Sequence, residues 1–209
     1  MLKEIRIHGR GGQGAVTLAE MIAFAAFCCG RKIQAFPSFG VERRGAPVES
    51  FVRISKKPIL RRDQIINPDY LIVLDDTLLK EKSLYRGLDK GDLVLINSKK
   101  SEDEIKKYFK IYPDIKIKII DATSLGMEVI GKPIVNTPLL GAFAAATKLF
   151  DVKSAEKAIL EKFSGDIAKK NIELVQKSYK HIDPKCKYLV ASRDQEIVPY
   201  RAEKSRVSS

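Results

Sequence analysis

Apolar and polar positions along the chain fall into short runs whose period changes in a regular order. Residues 5–8 alternate as a strand does, run into a glycine-rich turn over 9–14, and give way to an apolar, helix-compatible stretch over 15–29 closed by Gly30. Residues 33–36 and 48–54 read as further strands on either side of a break that holds Pro37, Gly40 and Gly45. Residues 70–74 form a continuous apolar run ending at Asp75 and Asp76, as a buried parallel strand does where its carboxyl end meets a loop. Residues 93–96 and 115–120 repeat the pattern and end at Asn97 and Asp121. Helices are predicted between these strands at 77–84 and 101–109, and beyond Pro138 at 139–149, at 154–163 with Ser154 as N-cap, and at 167–181. The alternation predicts an α/β fold: a single Rossmann-like domain, its mostly parallel sheet flanked by helices on both faces, with a helical carboxyl third. The domain is expected over 1–182, followed by an extended C-terminal arm over 183–209 with one strand-like stretch at 187–190.

Composition sharpens this picture in a few places. A chain of 209 residues, 44% apolar and 31% charged, can enclose one core and is too apolar to stay disordered. The longest apolar candidate, 21–29, is stopped by Gly30, Arg31 and Lys32, well short of the roughly 18 residues a membrane span requires. The N-terminus enters a strand pattern without a secretory layout, so the expected location is cytoplasmic, with no membrane partner. Cys28, Cys29 and Cys186 form no C-x-x-C pattern, so reduced thiols are expected and neither a zinc site nor an iron–sulfur cluster is. The net charge of +12 points to acidic partners, but the basic residues are dispersed, which favours a lysine-rich surface over a nucleic-acid-binding domain.

Two loops carry the candidate chemistry. Gly9, Gly11 and Gly14 fit G-x-G-x-x-G between a strand and a helix, where backbone N–H groups and a helix N-terminus can hold a phosphate. The plain structural reading, a turn that only permits tight strand-to-helix packing, stands beside it. The residues that would carry the ribose-binding acid of an NAD enzyme are Arg31-Lys32-Ile33-Gln34-Ala35-Phe36, with no acid before Glu42, so NAD is disfavoured while an NADP-binding reductase stays open. The second loop, 36–48, presents Phe36, Phe39 and the pair Arg43 and Arg44, whose planar forks suit phosphates or carboxylates, or ordinary ion pairs with Glu42. His8 reads as a structural hydrogen-bonding residue, Asp75 and Asp76 as helix caps, and Cys28 and Cys29 as buried, inert thiols.

The run Ile5-Arg6-Ile7-His8-Gly9-Arg10-Gly11-Gly12-Gln13-Gly14-Ala15-Val16, the loop 36–48 with its continuation to Ser55, and Asn136-Thr137-Pro138-Leu139-Leu140-Gly141-Ala142 together resemble the gamma subunit, or gamma domain, of 2-oxoacid:ferredoxin oxidoreductases. The arginine loop is similar to the pyruvate and branched-chain versions. The resemblance therefore implies a pyruvate:ferredoxin oxidoreductase (pyruvate synthase), converting pyruvate and coenzyme A to acetyl-CoA and CO₂ with electrons passed to ferredoxin, and 2-oxoisovalerate as the alternative substrate. It implies no catalytic or metal-binding residue on this chain. Thiamine diphosphate, Mg and iron–sulfur clusters would reside on alpha, beta and delta partner subunits. Coenzyme A would be shared with them, its phosphates met by Gly11, Gly12, Gln13 and Gly14 and by Arg43 and Arg44.

Overall fold

The structure is a computed structural model that describes residues 1–38, 45–110, 112 and 114–185. Six strands form one sheet: β1 (Lys3–Arg10), β2 (Lys32–Pro37), β3 (Pro47–Ser55), β4 (Tyr70–Val73), β5 (Leu93–Asn97) and β6 (Lys116–Ile120). Their order is β2-β3-β1-β4-β5-β6, with β1, β4, β5 and β6 parallel and β3 antiparallel to both of its neighbours. Five strands thus point one way and only β3 opposes them. The predicted single α/β domain with a mostly parallel sheet is present, and the hairpin β2–β3 supplies its antiparallel part.

Strand alternation sorts side chains onto two different faces. Ile5, Ile7, Val52, Ile54, Ile72, Leu74 and Leu95 pack into the larger core with α1 (Ala15–Cys28), α4 (Asn136–Thr147) and α6 (Gly165–Ile182), joined by α5 (Val152–Lys162). α4 is buried almost all round, and at Gly141 an added Cβ would stand 2.3 Å from the Val175 carbonyl oxygen. Only glycine lets α4 and α6 approach this closely. On the opposite face Leu71, Val73, Val94 and Ile96 meet Leu78, Leu79, Leu84, Ile105 and Phe109. That face carries two 3₁₀ turns, Asp76–Lys80 and Lys82–Tyr85, and the short α2 (Glu102–Lys106), capped by Ser101 and Glu104 in a capping box.

Toward β3 the same face carries charge in place of an apolar core. Arg53, fully buried, donates to Glu4 Oε1 at 2.8 Å, Gln34 Oε1 at 3.1 Å and the Asp63 carbonyl at 2.7 Å, and lies over the Phe36 ring. Arg6 donates to the carbonyls of Ile66, Leu84 and Arg86. These guanidiniums hold irregular chain against the sheet by saturating its carbonyls, a task their several N–H groups suit.

Several local expectations are corrected. The stretch predicted as one helix over 77–84 is two 3₁₀ turns, because Glu81 is extended between them. Asp151, not Ser154, caps α5, accepting from the Ser154 N–H at 2.7 Å. α4 starts at Asn136, before Pro138, which sits in the first turn where its missing N–H costs nothing. α3 (Ala122–Ile130) follows β6 and has no counterpart in the sequence reading. Cys28 and Cys29, both expected to be buried, are half-buried and exposed respectively at the α1 terminus, with Cys29 Sγ 3.2 Å from Ser154 Oγ. The strand-like stretch 187–190 and most of the arm lie outside the described residues.

Candidate functional site

The strands β1, β4, β5 and β6 end at one cleft of about 700 Å³. Gly11, Gly12 and Gln13 enter from β1, Asp75 and Asp76 from β4, Asn97 to Lys100 from β5, and Asp121 and Thr123 from β6, with Val135 closing the side at the start of α4. This is the crevice outside the carboxyl ends of the strands in which open α/β sheets receive ligands.

The glycine turn is rigid. Gly12 and Gly14 hold φ values of 94° and 81°, a left-handed geometry that excludes other residues without strain. Gln13 spends its side chain inside the turn: Oε1 accepts from Arg10 N–H at 2.7 Å and Nε2 donates to Asp75 Oδ2 at 2.8 Å. Arg10 reaches the same Asp75 oxygen at 3.4 Å and Thr77 Oγ1 at 2.8 Å. Burial alone would raise the Asp75 carboxyl, but hydrogen bonds from Thr77 and Gln13 and the Arg10 charge outweigh it and hold the group below the ordinary carboxylate range. Asp75 is therefore an ionised anchor for the turn as well as the cap for the 3₁₀ turn that follows it.

Of the four residues expected to cradle a phosphate, Gly11 and Gln13 have committed backbone donors, to the Ala46 and Arg10 carbonyls at 2.9 and 3.0 Å. Gly12 and Gly14 keep N–H groups with no acceptor among the described residues. Behind Gly14 starts α1, with no side-chain cap and no acid in its first turn; α4 starts the same way at Val135 and Asn136. The two meet: a Cβ on Gly14 would lie 2.6 Å from Asn136 Nδ2, while Asn136 Oδ1 is taken by the Thr137 N–H. Two helix N-termini without side-chain caps thus meet beside the cleft, next to its lining residues Gln13 and Val135, an arrangement that favours an anion. Asp76 and Asp121, the other carboxylates of the cleft, have partners of their own. Asp76 accepts from Ser98 Oγ at 2.6 Å and pairs with Lys100 at 3.0 Å, and Asp121 caps α3 through the Ser124 N–H and has Lys99 at 4.0 Å.

Arg43 and Arg44 lie outside the described residues. Their neighbour in sequence, Gly45, donates its N–H to the Gly11 carbonyl at 3.1 Å and accepts from Arg10 Nη1 at 3.2 Å, so the carboxyl-side base of the arginine loop is tied to the glycine turn. The contributions of Asn97, Ser98, Lys99, Lys100, Thr123 and Asn136 were not anticipated from sequence. The usable signal was positional: each follows an apolar strand run or opens a late helix, where the sheet edge gathers its loops.

His8 is buried, but the hydrogen-bonding role expected of it is not met among the described residues: its Nε2 has no partner and the Glu49 carboxylate stands beyond hydrogen-bond range of its Nδ1. The histidine is 6% exposed, with Nδ1 3.7 Å from Glu49 Oε1, and burial, followed by the nearby Arg6 charge, pushes its pKa down to about 3. An unfolded histidine titrates near 6.5, so below about pH 6.5 the unfolded chain holds a proton that the folded chain refuses. Stability is expected to fall as pH drops from 6.5 toward 3, by about 1.4 kcal/mol per unit within that window. Urea unfolding of the wild type and His8→Gln at pH 7 and pH 5 should show a slope one proton shallower in the variant.

The fold and the cleft define a Rossmann-like domain with an anion-receptive edge. The chain belongs to the pyruvate ferredoxin/flavodoxin oxidoreductase family, which it matches over residues 4–181. Among its relatives, the common gamma subunit of the pyruvate and ketoisovalerate oxidoreductases of Thermococcus litoralis is 47% identical over 84% of this chain and 95% of its own. The pyruvate synthase subunit PorC of Methanothermobacter thermautotrophicus is 49% identical over 86% and 96%. The crystal structure of the pyruvate oxidoreductase subunit PORC of Thermotoga maritima is similar with a TM-score of 0.76 and 34% identity over 86% and 96%. The fold also recurs, at 17% identity and a TM-score of 0.71, in 33% of the chain of a Magnetococcus marinus 2-oxoglutarate:ferredoxin oxidoreductase. Among the described residues no helix is long and apolar enough to cross a membrane, and no three His, Cys, Asp or Glu side chains group to hold a metal ion.

Proposed function

We propose that this chain is the gamma subunit of a pyruvate:ferredoxin oxidoreductase of the pyruvate synthase type, a non-catalytic part of the enzyme that helps hold coenzyme A. The observation that carries the reading is the meeting of the uncapped α1 and α4 N-termini at Gly14 and Asn136. That side of the cleft is suited to the diphosphate of coenzyme A, with the N–H groups of Gly12 and Gly14 as donors. Arg43 and Arg44, adjoining the tethered Gly45, supply charge for a second phosphate group.

The carbon chemistry and electron transfer belong to alpha, beta and delta partners bearing thiamine diphosphate, Mg and iron–sulfur clusters, with ferredoxin as acceptor. This chain's own work is to bind and orient the carrier. The complex is assigned to the cytoplasm, where the thiols of Cys28 and Cys29 stay reduced. A second reading is favoured by the name of the Thermococcus litoralis relative, a subunit common to pyruvate and ketoisovalerate oxidoreductases: the chain serves a branched-chain 2-oxoacid enzyme as well, with substrate choice left to the other subunits.

The test is the assembled enzyme carrying Arg43→Ala with Arg44→Ala. The coenzyme A concentration for half-maximal rate is expected to rise at least about tenfold, equivalent to roughly 1.4 kcal/mol, while pyruvate-dependent radical formation stays near the wild-type level. An unchanged coenzyme A requirement removes the arginine pair from the site.

A further inference from the structure

The two edges of the sheet are built differently. β6 turns Lys116 and Lys118 outward along its length, a charge pattern that discourages another strand from pairing there. β2 is guarded only at its two ends, by Lys32 and Pro37, and leaves its middle open. The Ser38 N–H donates to the Glu49 carbonyl, which marks 38 and 49 as a hydrogen-bonded pair. Alternation along the antiparallel ladder then gives the bonds to β3 to residues 36, 34 and 32. The N–H and C=O groups of Ile33 and Ala35 point away from the sheet, as does the C=O of Pro37, whose missing N–H falls at an outward position. Nothing among the described residues pairs with this edge.

The edge has an apolar and a cationic border. Ile33 is 38% exposed, and Phe27, six residues earlier across the α1–β2 turn, is 53% exposed. Arg31, Lys32, Lys56 and Lys57 gather where β2 begins and β3 ends, since Lys32 lies opposite Ser55, and none of the four pairs with a carboxylate among the described residues.

We infer that the β2 edge is where an extended, carboxylate-bearing segment of another subunit of the oxidoreductase adds a strand to this sheet. Outward backbone donors and acceptors at a two-residue repeat fit a polypeptide and not a polyanion. The apolar border takes alternate side chains of that strand, and the four unpaired cations select an acidic flank. The inference rests on the proposal that the chain works within a multi-subunit oxidoreductase, and its cationic border lies away from the coenzyme A cleft: Lys32 opens β2 at the amino ends of the parallel strands, and only Pro37 reaches their carboxyl ends.

Hydrogen exchange of the full chain, alone and co-assembled with the other subunits, reads this directly. The amides of Ile33 and Ala35 are expected to exchange freely in the isolated chain and to slow at least tenfold in the complex. Ala35→Pro, which deletes an outward N–H, and the double variant Lys56→Glu with Lys57→Glu are each expected to weaken capture of the other subunits tenfold or more. Circular dichroism checks that Ala35→Pro is folded; if it is not, the exposed lysine pair and the exchange data decide. Unchanged exchange at Ile33 and Ala35, or undiminished capture by the lysine variant, overturns the inference while the functional reading stands. Slow exchange already present in the isolated chain, and lost on dilution or on deletion of residues 186–209, assigns the edge to a second copy or to this chain's own end and overturns it too. A wild-type chain that captures no other subunit removes the functional reading, and the inference with it.

Discussion

Replacement of Arg53 by methionine should cost about 3 to 5 kcal/mol of stability, the range for breaking a buried ion pair from one side. The guanidinium is wholly enclosed, and its removal leaves the Glu4 carboxylate, the Gln34 amide oxygen and the Asp63 carbonyl without their donors. Arg61, 3.8 Å from the other Glu4 oxygen, is too exposed to take over. Urea unfolding at neutral pH measures the loss. A second change, Glu4→Gln, should restore part of it by removing the stranded charge. A loss below about 1 kcal/mol would mean that the loop carrying Asp63 is held by other contacts.

Gly14→Ala is expected to have the largest effect on ligand binding. The residue sits at φ 81°, where a side chain costs about 1 to 2 kcal/mol, and the new Cβ would meet Asn136 Nδ2 at 2.6 Å. The Asn136 side chain must swing aside, which takes its amide away from the junction of the two helix ends. In the assembled enzyme the apparent affinity for coenzyme A is expected to fall by roughly tenfold or more, with a smaller change in pyruvate-dependent radical formation. Gly12→Ala shares the backbone strain but meets nothing within 4 Å, so the difference between the two variants isolates the Asn136 junction. Equal losses in both would place the effect in the turn itself.

The strands β4, β5 and β6 were legible because each is a largely apolar run that ends in polar sequence: Asp75, Asn97 and Asp121 mark their carboxyl ends. The glycine turn was legible for the same reason, since only glycine tolerates its backbone. What sequence left out depends on partners distant in the chain. Gln13 looked like a ligand for phosphate, yet Asp75, 62 positions on, takes its amide. Asn136 belongs to the site through Gly14, a contact spanning more than a hundred residues. α4 looked as if it began after Pro138, because proline reads as a break unless the first turn is already known. The buried Arg53 gave no sign of itself, since a strand written Pro-Val-Glu-Ser-Phe-Val-Arg-Ile-Ser alternates as a half-exposed strand does; its charge is enclosed only because Glu4, Gln34 and the chain around Asp63 come from three separate elements.

The reversed direction of β3 bears on which nucleotides the molecule can tell apart. A dinucleotide enzyme recognises its adenosine sugar with an acid at the carboxyl end of the strand beside β1, next to the crevice. Here the neighbour on that side presents its amino end, Pro47, to the crevice, and the usual post for the acid does not exist. Among the described residues, a nicotinamide dinucleotide entering this cleft would find donors for its phosphates and no acid at that post for its sugar.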